Sequence, residues 1–141
     1  MRFAIVVGRF YEELAERLVA GARRVFEQAG AQPVDVFDVP GAFELPLATL
    51  MVAETGRYDG VACLGAVIRG ETSHYDHVCN EAARGIQDVA LGTGVPCGFG
   101  LLTVENLEQA LARSGGAKRD EGADAAEAVL ALARMRARLV E

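Results

Sequence analysis

The run MRFAIVVGRFYEELAERLVAGARRVFEQAG, Met1 to Gly30, decides the fold. Phe3–Val7 is continuously apolar, the pattern of a strand covered on both faces. Gly8 breaks it. From Glu12 to Gln28 apolar side chains recur at Leu14, Leu18, Ala22 and Val25, and Ala29 continues the series. That spacing predicts an amphipathic helix, with Gly30 as its C-terminal stop.

The same unit repeats down the chain. Pro33–Val39 alternates like a strand and ends at Pro40–Gly41. Ala42–Thr55 is predicted as a helix, with Pro46 tolerable only in its first turn, closed by Gly56. Gly60–Leu64 is the third strand and Tyr75–Leu91 the next helix, ended by Gly92 and Gly94. Cys97–Thr103 is the fourth strand. Thr103 is placed to cap a helix over Glu105–Arg113. The charged, Gly-rich loop Ser114–Gly122 leads to a last helix from about Ala123 to Leu139. Strands alternating with helices imply a parallel sheet, and right-handed crossovers make it a three-layer α/β/α sandwich of the doubly wound kind. No repeat or linker divides residues 1–141, so one domain is expected. Ligands in such folds bind beyond the carboxyl ends of the strands. Those ends are GRFY, PGAFE, GAVIRGETSH and LTVEN.

Composition narrows the function. The chain has 141 residues, a net charge of -6, no Trp and 6% aromatic residues. Nucleic-acid and anionic-lipid partners are therefore not expected. No apolar run is long enough to cross a membrane, and the N-terminus lacks the cleavage site of a signal peptide. The three cysteines, Cys63, Cys79 and Cys97, are odd in number and lie beside apolar residues. Buried, reduced thiols in a cytoplasmic protein are the expectation.

The densest chemistry is in AVIRGETSHYDHVCNEAARG, Ala66–Gly85, which holds both histidines. Ser73 with Asp76 three residues on reads as a capping box. That puts His74 in the first helical turn, where the helix dipole disfavours added positive charge and an imidazole can accept and return a proton. Backbone N–H groups around Gly70, Glu71 and Thr72 can hold an anion, with Arg69 either helping or solvated. A histidine at a helix start is also a common surface residue. His77 falls in register with Glu81, Arg84 and Asp88 and reads as solvated or in a subunit contact. A zinc site from His74, His77 and Cys79 does not fit, because Cys79 points to another face; a Cys–His nucleophile pair fails for the same reason. No dinucleotide or phosphate-loop fingerprint is present.

The blocks VVGRF, VPGAFELPLA, LGAVIRGETSHYDHVCNEAARG and GVPCGFGLLTVENLEQALARSG, in that order over nearly the whole chain, resemble the lumazine synthase (6,7-dimethyl-8-ribityllumazine synthase) family. The resemblance implies a flavodoxin-like sandwich around a four-stranded parallel sheet. It implies condensation of 5-amino-6-(D-ribitylamino)uracil with 3,4-dihydroxy-2-butanone 4-phosphate, the penultimate step of riboflavin synthesis, without a metal or organic cofactor. It also implies a homo-oligomer of pentamers, in some members twelve closed into an icosahedral shell of sixty subunits, with active sites between neighbours. Carried over by position, Phe10 resembles the aromatic stacked on the pyrimidine. Ala42, Phe43 and Glu44 resemble the ribityl-binding segment, and Val67 and Ile68 the backbone that meets the pyrimidine. Glu71 and Thr72 match the phosphate loop, and His74 the proton-transfer histidine. From the adjacent subunit, Phe99 resembles the residue that closes over the ring and Arg113 the one that pairs with phosphate, where a guanidinium can bind two oxygens at once.

Two positions depart from the family pattern. Tyr11 stands where Asn is usual after Arg-Phe, and GGAKRDEG places Glu121 where a lysine is usual. The chain opens directly on its first strand, without the leading segment that often reaches a neighbour in the family. Tyr11 and the altered loop keep one alternative in view, a non-catalytic ribityl-ligand binder or shell protein on the same scaffold; the related archaeal-type riboflavin synthase is a further, weaker one.

Overall fold

A computed structural model describes residues 1–140. Four strands, β1 (Phe3–Gly8), β2 (Val34–Val39), β3 (Gly60–Ile68) and β4 (Cys97–Val104), form one sheet in the order β2-β1-β3-β4. All three pairings are parallel, and eight residue pairs join β3 to β4, from Val61–Cys97 to Ile68–Val104. Five helices cover the sheet: α1 (Glu12–Gln28), α2 (Leu45–Glu54), α3 (His74–Thr93), α4 (Leu107–Arg113) and α5 (Glu121–Leu139).

The alternation of each strand sorts its side chains into two cores. Phe3, Ile5 and Val7 pack with Leu14, Leu18 and Phe26 of α1 and Val129 of α5; the Phe3 and Phe26 rings stack 4.6 Å apart. Ala4, Val6, Val61 and Cys63 pack on the other face with Leu45 of α2 and Ala82 and Ile86 of α3. The chain steps from β1 to β2 under α1, then back through α2 and α3 on the opposite face to β3 and β4. Reversing direction and face together keeps every crossover of one hand. The result is the three-layer, flavodoxin-like sandwich expected.

Helix α5 lies unusually close to its neighbours. A Cβ on Gly98 would sit 2.3 Å from the carbonyl oxygen of Ala125, and one on Gly122 would sit 2.1 Å from that of Leu18. Both obstacles are backbone, so no side-chain rotation relieves them. These glycines set the depth at which α5 seats on β4 and α1.

Several boundaries differ from expectation. Ala42–Thr55 is not one helix. Ala42–Glu44 forms a 3-10 turn and α2 begins at Leu45, which leaves Pro46 in its first turn. The third strand runs on to Ile68, because its far end keeps a partner in β4. Thr103 stays in β4, and Asn106 caps α4 instead, its side chain accepting from the Gln109 N–H at 2.8 Å. Asp120 caps α5 through the Ala123 N–H at 3.1 Å, which moves that helix start to Glu121. All three cysteines are free, but only Cys63 is buried; Cys79 and Cys97 are half-buried.

Candidate active site

Strands β1 and β3 are neighbours in the sheet, yet the chain leaves their carboxyl ends toward opposite edges. A crevice opens at such a switch point. Here it encloses about 630 Å³ between four segments: Phe10–Tyr11 after β1, Gly41–Glu44 after β2, Ala66–Ile68 at the end of β3, and one face of α3. Phe10, Ala42, Phe43, Glu44, Val67, Ile68 and His74 therefore meet in one cavity, although up to 64 residues separate them in sequence.

Each wall is held by a local device. Arg9, whose side chain is only 20% exposed, bonds Asp38 at 2.8 Å, Glu12 at 3.0 Å and also Glu16, while its backbone N–H donates to the Val39 carbonyl. Burial opposes the Arg9 charge, but hydrogen bonds to Asp38 and Glu16 outweigh it and hold the guanidinium pKa above its ordinary value. This clamp ties the β1 loop to β2 and α1, just before Phe10. The Phe10 ring is 75% exposed at the mouth of the crevice and meets Tyr11 edge-on. On the next loop the Gly41 N–H donates to Glu44 Oε1 at 2.9 Å, which leaves the second carboxylate oxygen free for a ligand.

The start of α3 departs from the capping-box reading. Ser73 makes no side-chain cap; Thr72 Oγ1 accepts from the His74 N–H at 3.3 Å. Asp76 pairs instead with Arg69 at 3.5 Å. Arg69 also bonds Glu105 at 2.7 Å and lies 4.2 Å from the centre of the Tyr75 ring. Its charge is thus already shared between two carboxylates. Glu71 and Thr72 are exposed in the loop before α3 and do not line the crevice.

His77 is exposed and stands in register with Glu81, in keeping with a solvated position. It also lines the crevice with His74, Val78 and Glu81. The spacing i, i+3, i+4, i+7 describes one helix face, so the register held the signal. Arg84 donates to both oxygens of Glu81, at 2.7 and 3.3 Å, and that hydrogen bonding lowers the Glu81 pKa. Tyr11 and Ala66 were also missed as lining residues. Cys79 is outside the crevice, and among the described residues no three His, Cys, Asp or Glu side chains gather where they could hold a metal ion.

Phe99 and Arg113 are elsewhere. They share a second cavity of about 340 Å³ with Thr103, Gln109 and Glu121, on the opposite edge of the sheet at β4. Arg113 donates to the Gln109 carbonyl at 3.1 Å, and Glu121 pairs with Arg119 at 3.1 Å. The crevice lining contains two glutamates and no lysine or arginine. A ligand with both a planar ring and an anionic group thus finds its two complements on different edges of one chain.

Two kinds of comparison bear on the site. The chain matches the sequence model of the 6,7-dimethyl-8-ribityllumazine synthase family over residues 1–137. It is 45% identical, over 137 residues, to proteins of that name from two strains of Nitratidesulfovibrio vulgaris, DP4 and Hildenborough. Each alignment spans 96% of this chain and 88% of the relative.

Proposed function

Because the chain belongs to the 6,7-dimethyl-8-ribityllumazine synthase family, we infer that it is a lumazine synthase, a transferase of riboflavin biosynthesis. It joins 5-amino-6-(D-ribitylamino)uracil to 3,4-dihydroxy-2-butanone 4-phosphate. The observation that carries this is the switch-point crevice, where Phe10, Phe43, Glu44, Val67, Ile68 and His74 meet around one ring-sized space.

The chemistry asks for orientation and proton movement. The uracil amine attacks the ketone and water leaves as the imine forms. Loss of a C–H proton expels inorganic phosphate and leaves an enol, which gains a proton at its terminal carbon and loses its hydroxyl proton to become a ketone. The second nitrogen then closes the ring on the new carbonyl, with loss of a second water. Phe10 stacks on the pyrimidine, Val67 and Ile68 meet its edge, and Glu44 accepts from ribityl hydroxyls through its free oxygen. His74 takes and returns protons. Glu71 and Thr72 receive the phosphate beside the start of α3, where backbone N–H groups favour an anion. No step in this scheme calls on a metal or organic cofactor.

Arg69 is paired with Asp76 and Glu105, so in this reading the main counter-charge for the phosphate comes from elsewhere. In this reading Arg113 and Phe99 of a neighbouring copy complete the crevice. The enzyme is then a homo-oligomer whose smallest closed unit is the pentamer; a sixty-subunit shell would take twelve of them. No described helix is long and apolar enough to cross a membrane, and a cytoplasmic location belongs to the same proposal.

Purified protein given both substrates should develop lumazine absorbance and fluorescence above the uncatalysed background. A rate equal to the blank sinks the reading. Glu121 beside Arg113 favours one rival, a ribityl-ligand binder without turnover. Tight lumazine binding together with a blank rate would establish it.

A further inference from the structure

His77 is accounted for neither by the fold nor by the chemistry above, yet its side chain lines the crevice. Helix α3 enters at His74 and packs along the 3-10 turn Ala42–Glu44. With a rise of about 1.5 Å per residue, His77 lies about 4.5 Å farther along the axis than His74, and Glu81 about 6 Å beyond that. The three share one face. A substrate whose reacting end meets His74 and whose tail runs back along the helix passes His77 next, with Phe43 and Glu44 on the facing loop.

The donor and acceptor balance shows what such a tail should be. Glu44 and Glu81 offer only acceptors when ionised. Apart from His74 at the reacting end, the Tyr11 hydroxyl and the His77 imidazole are the only lining side chains that can donate. A neutral imidazole both donates and accepts, as does every hydroxyl of a polyol chain. Arg84 already holds Glu81, but an alkyl tail covering the Tyr11 hydroxyl, the His77 imidazole and the second oxygen of Glu44 would give them no partner, and burying an unpaired polar group is costly.

We propose that His77 is a specificity-determining residue that hydrogen-bonds a hydroxyl of the substrate's sugar-alcohol chain from the α3 wall, opposite Glu44. This rests on the lumazine synthase reading and extends it to a residue that the family pattern does not assign.

The test compares two fluorescent ligands on wild type, His77→Phe and His77→Gln: 6,7-dimethyl-8-ribityllumazine, and the same heterocycle with an unhydroxylated five-carbon chain. The wild type should prefer the ribityl compound. His77→Phe should weaken ribityl binding about fivefold, the size of one net hydrogen bond, and leave the alkyl compound unchanged. His77→Gln, which keeps a donor and an acceptor, should retain most of the preference. Equal losses for both ligands would mark a structural role and overturn the proposal, as would no loss for either. Failure of the wild type to bind either ligand would overturn the underlying reading as well. The alkyl compound doubles as the check that each variant is folded.

Discussion

The crevice at the switch point encloses about 630 Å³ and is walled by aromatic and aliphatic side chains, two imidazoles and two carboxylates. The cavity on the β4 edge encloses about 340 Å³ and holds Arg113 with Glu121 and Gln109. The first suits a ring and a polyol but brings no positive side chain to a phosphate. The second is smaller and brings a guanidinium. The crevice lies at the ends of the two central strands, β1 and β3, where the loop after β2 converges on them. Strand β4 is an edge, with one side left unpaired in the chain. Parts of one site can therefore be far apart within a chain and still meet between copies.

That contrast can be broken in several ways, beginning with the scaffold. Gly122→Leu drives a side chain into the Leu18 carbonyl and should shift α5 or prevent folding. A melting temperature equal to wild type would show that the close seating of α5 is not required. Next in size is Arg113→Ala, expected to lower kcat/KM for the phosphate substrate roughly 100- to 1,000-fold, with lumazine binding nearly intact. Loss of both in parallel would mean that the two cavities are not separate in function.

His74→Ala should slow turnover roughly 100-fold without abolishing it, because positioning remains. Co-expressed with Arg113→Ala in equal amounts, it offers a sharper test. If each site takes its halves from two copies, about a quarter of the sites in a mixed ring receive two intact halves. Activity no greater than that of the two variants alone would place the site within one chain. Smaller again, Glu121→Lys should improve KM for the phosphate substrate about threefold at low ionic strength, and the gain should fade in salt. A gain that persists at high salt would argue against a charge effect. Arg9→Ala should raise KM for the pyrimidine substrate about twofold through a looser Phe10, with partial recovery in Arg9→Lys; an unchanged KM would make the Arg9 clamp purely structural.

The fold was legible because its signals are local. Continuous apolar strands, helical spacing from Leu14 to Val25 and the glycine stops each declare themselves within one window. The boundaries that moved were decided by tertiary partners. The third strand lengthened because β4 runs beside it to Val104. Thr103 lost its capping role because the ladder kept it, and Asn106 was better placed. In the site, the carried-over residues Phe10, Phe43, Glu44 and His74 do share a cavity. His77 is exposed, as its polar stripe implies, but the crevice it borders exists only because the Ala42–Glu44 turn packs beside α3. Arg69 was left open because its partners, Asp76 and Glu105, come from different elements.

Arg69 has one more effect. It binds the start of α3 to the loop after β4, and an incoming phosphate would compete with Asp76 and Glu105 for its charge. If the balancing charge must come from another copy, specific activity becomes a function of protein concentration. Dilution below the point where copies part would then switch the enzyme off with every chain still folded, and reconcentration would restore it.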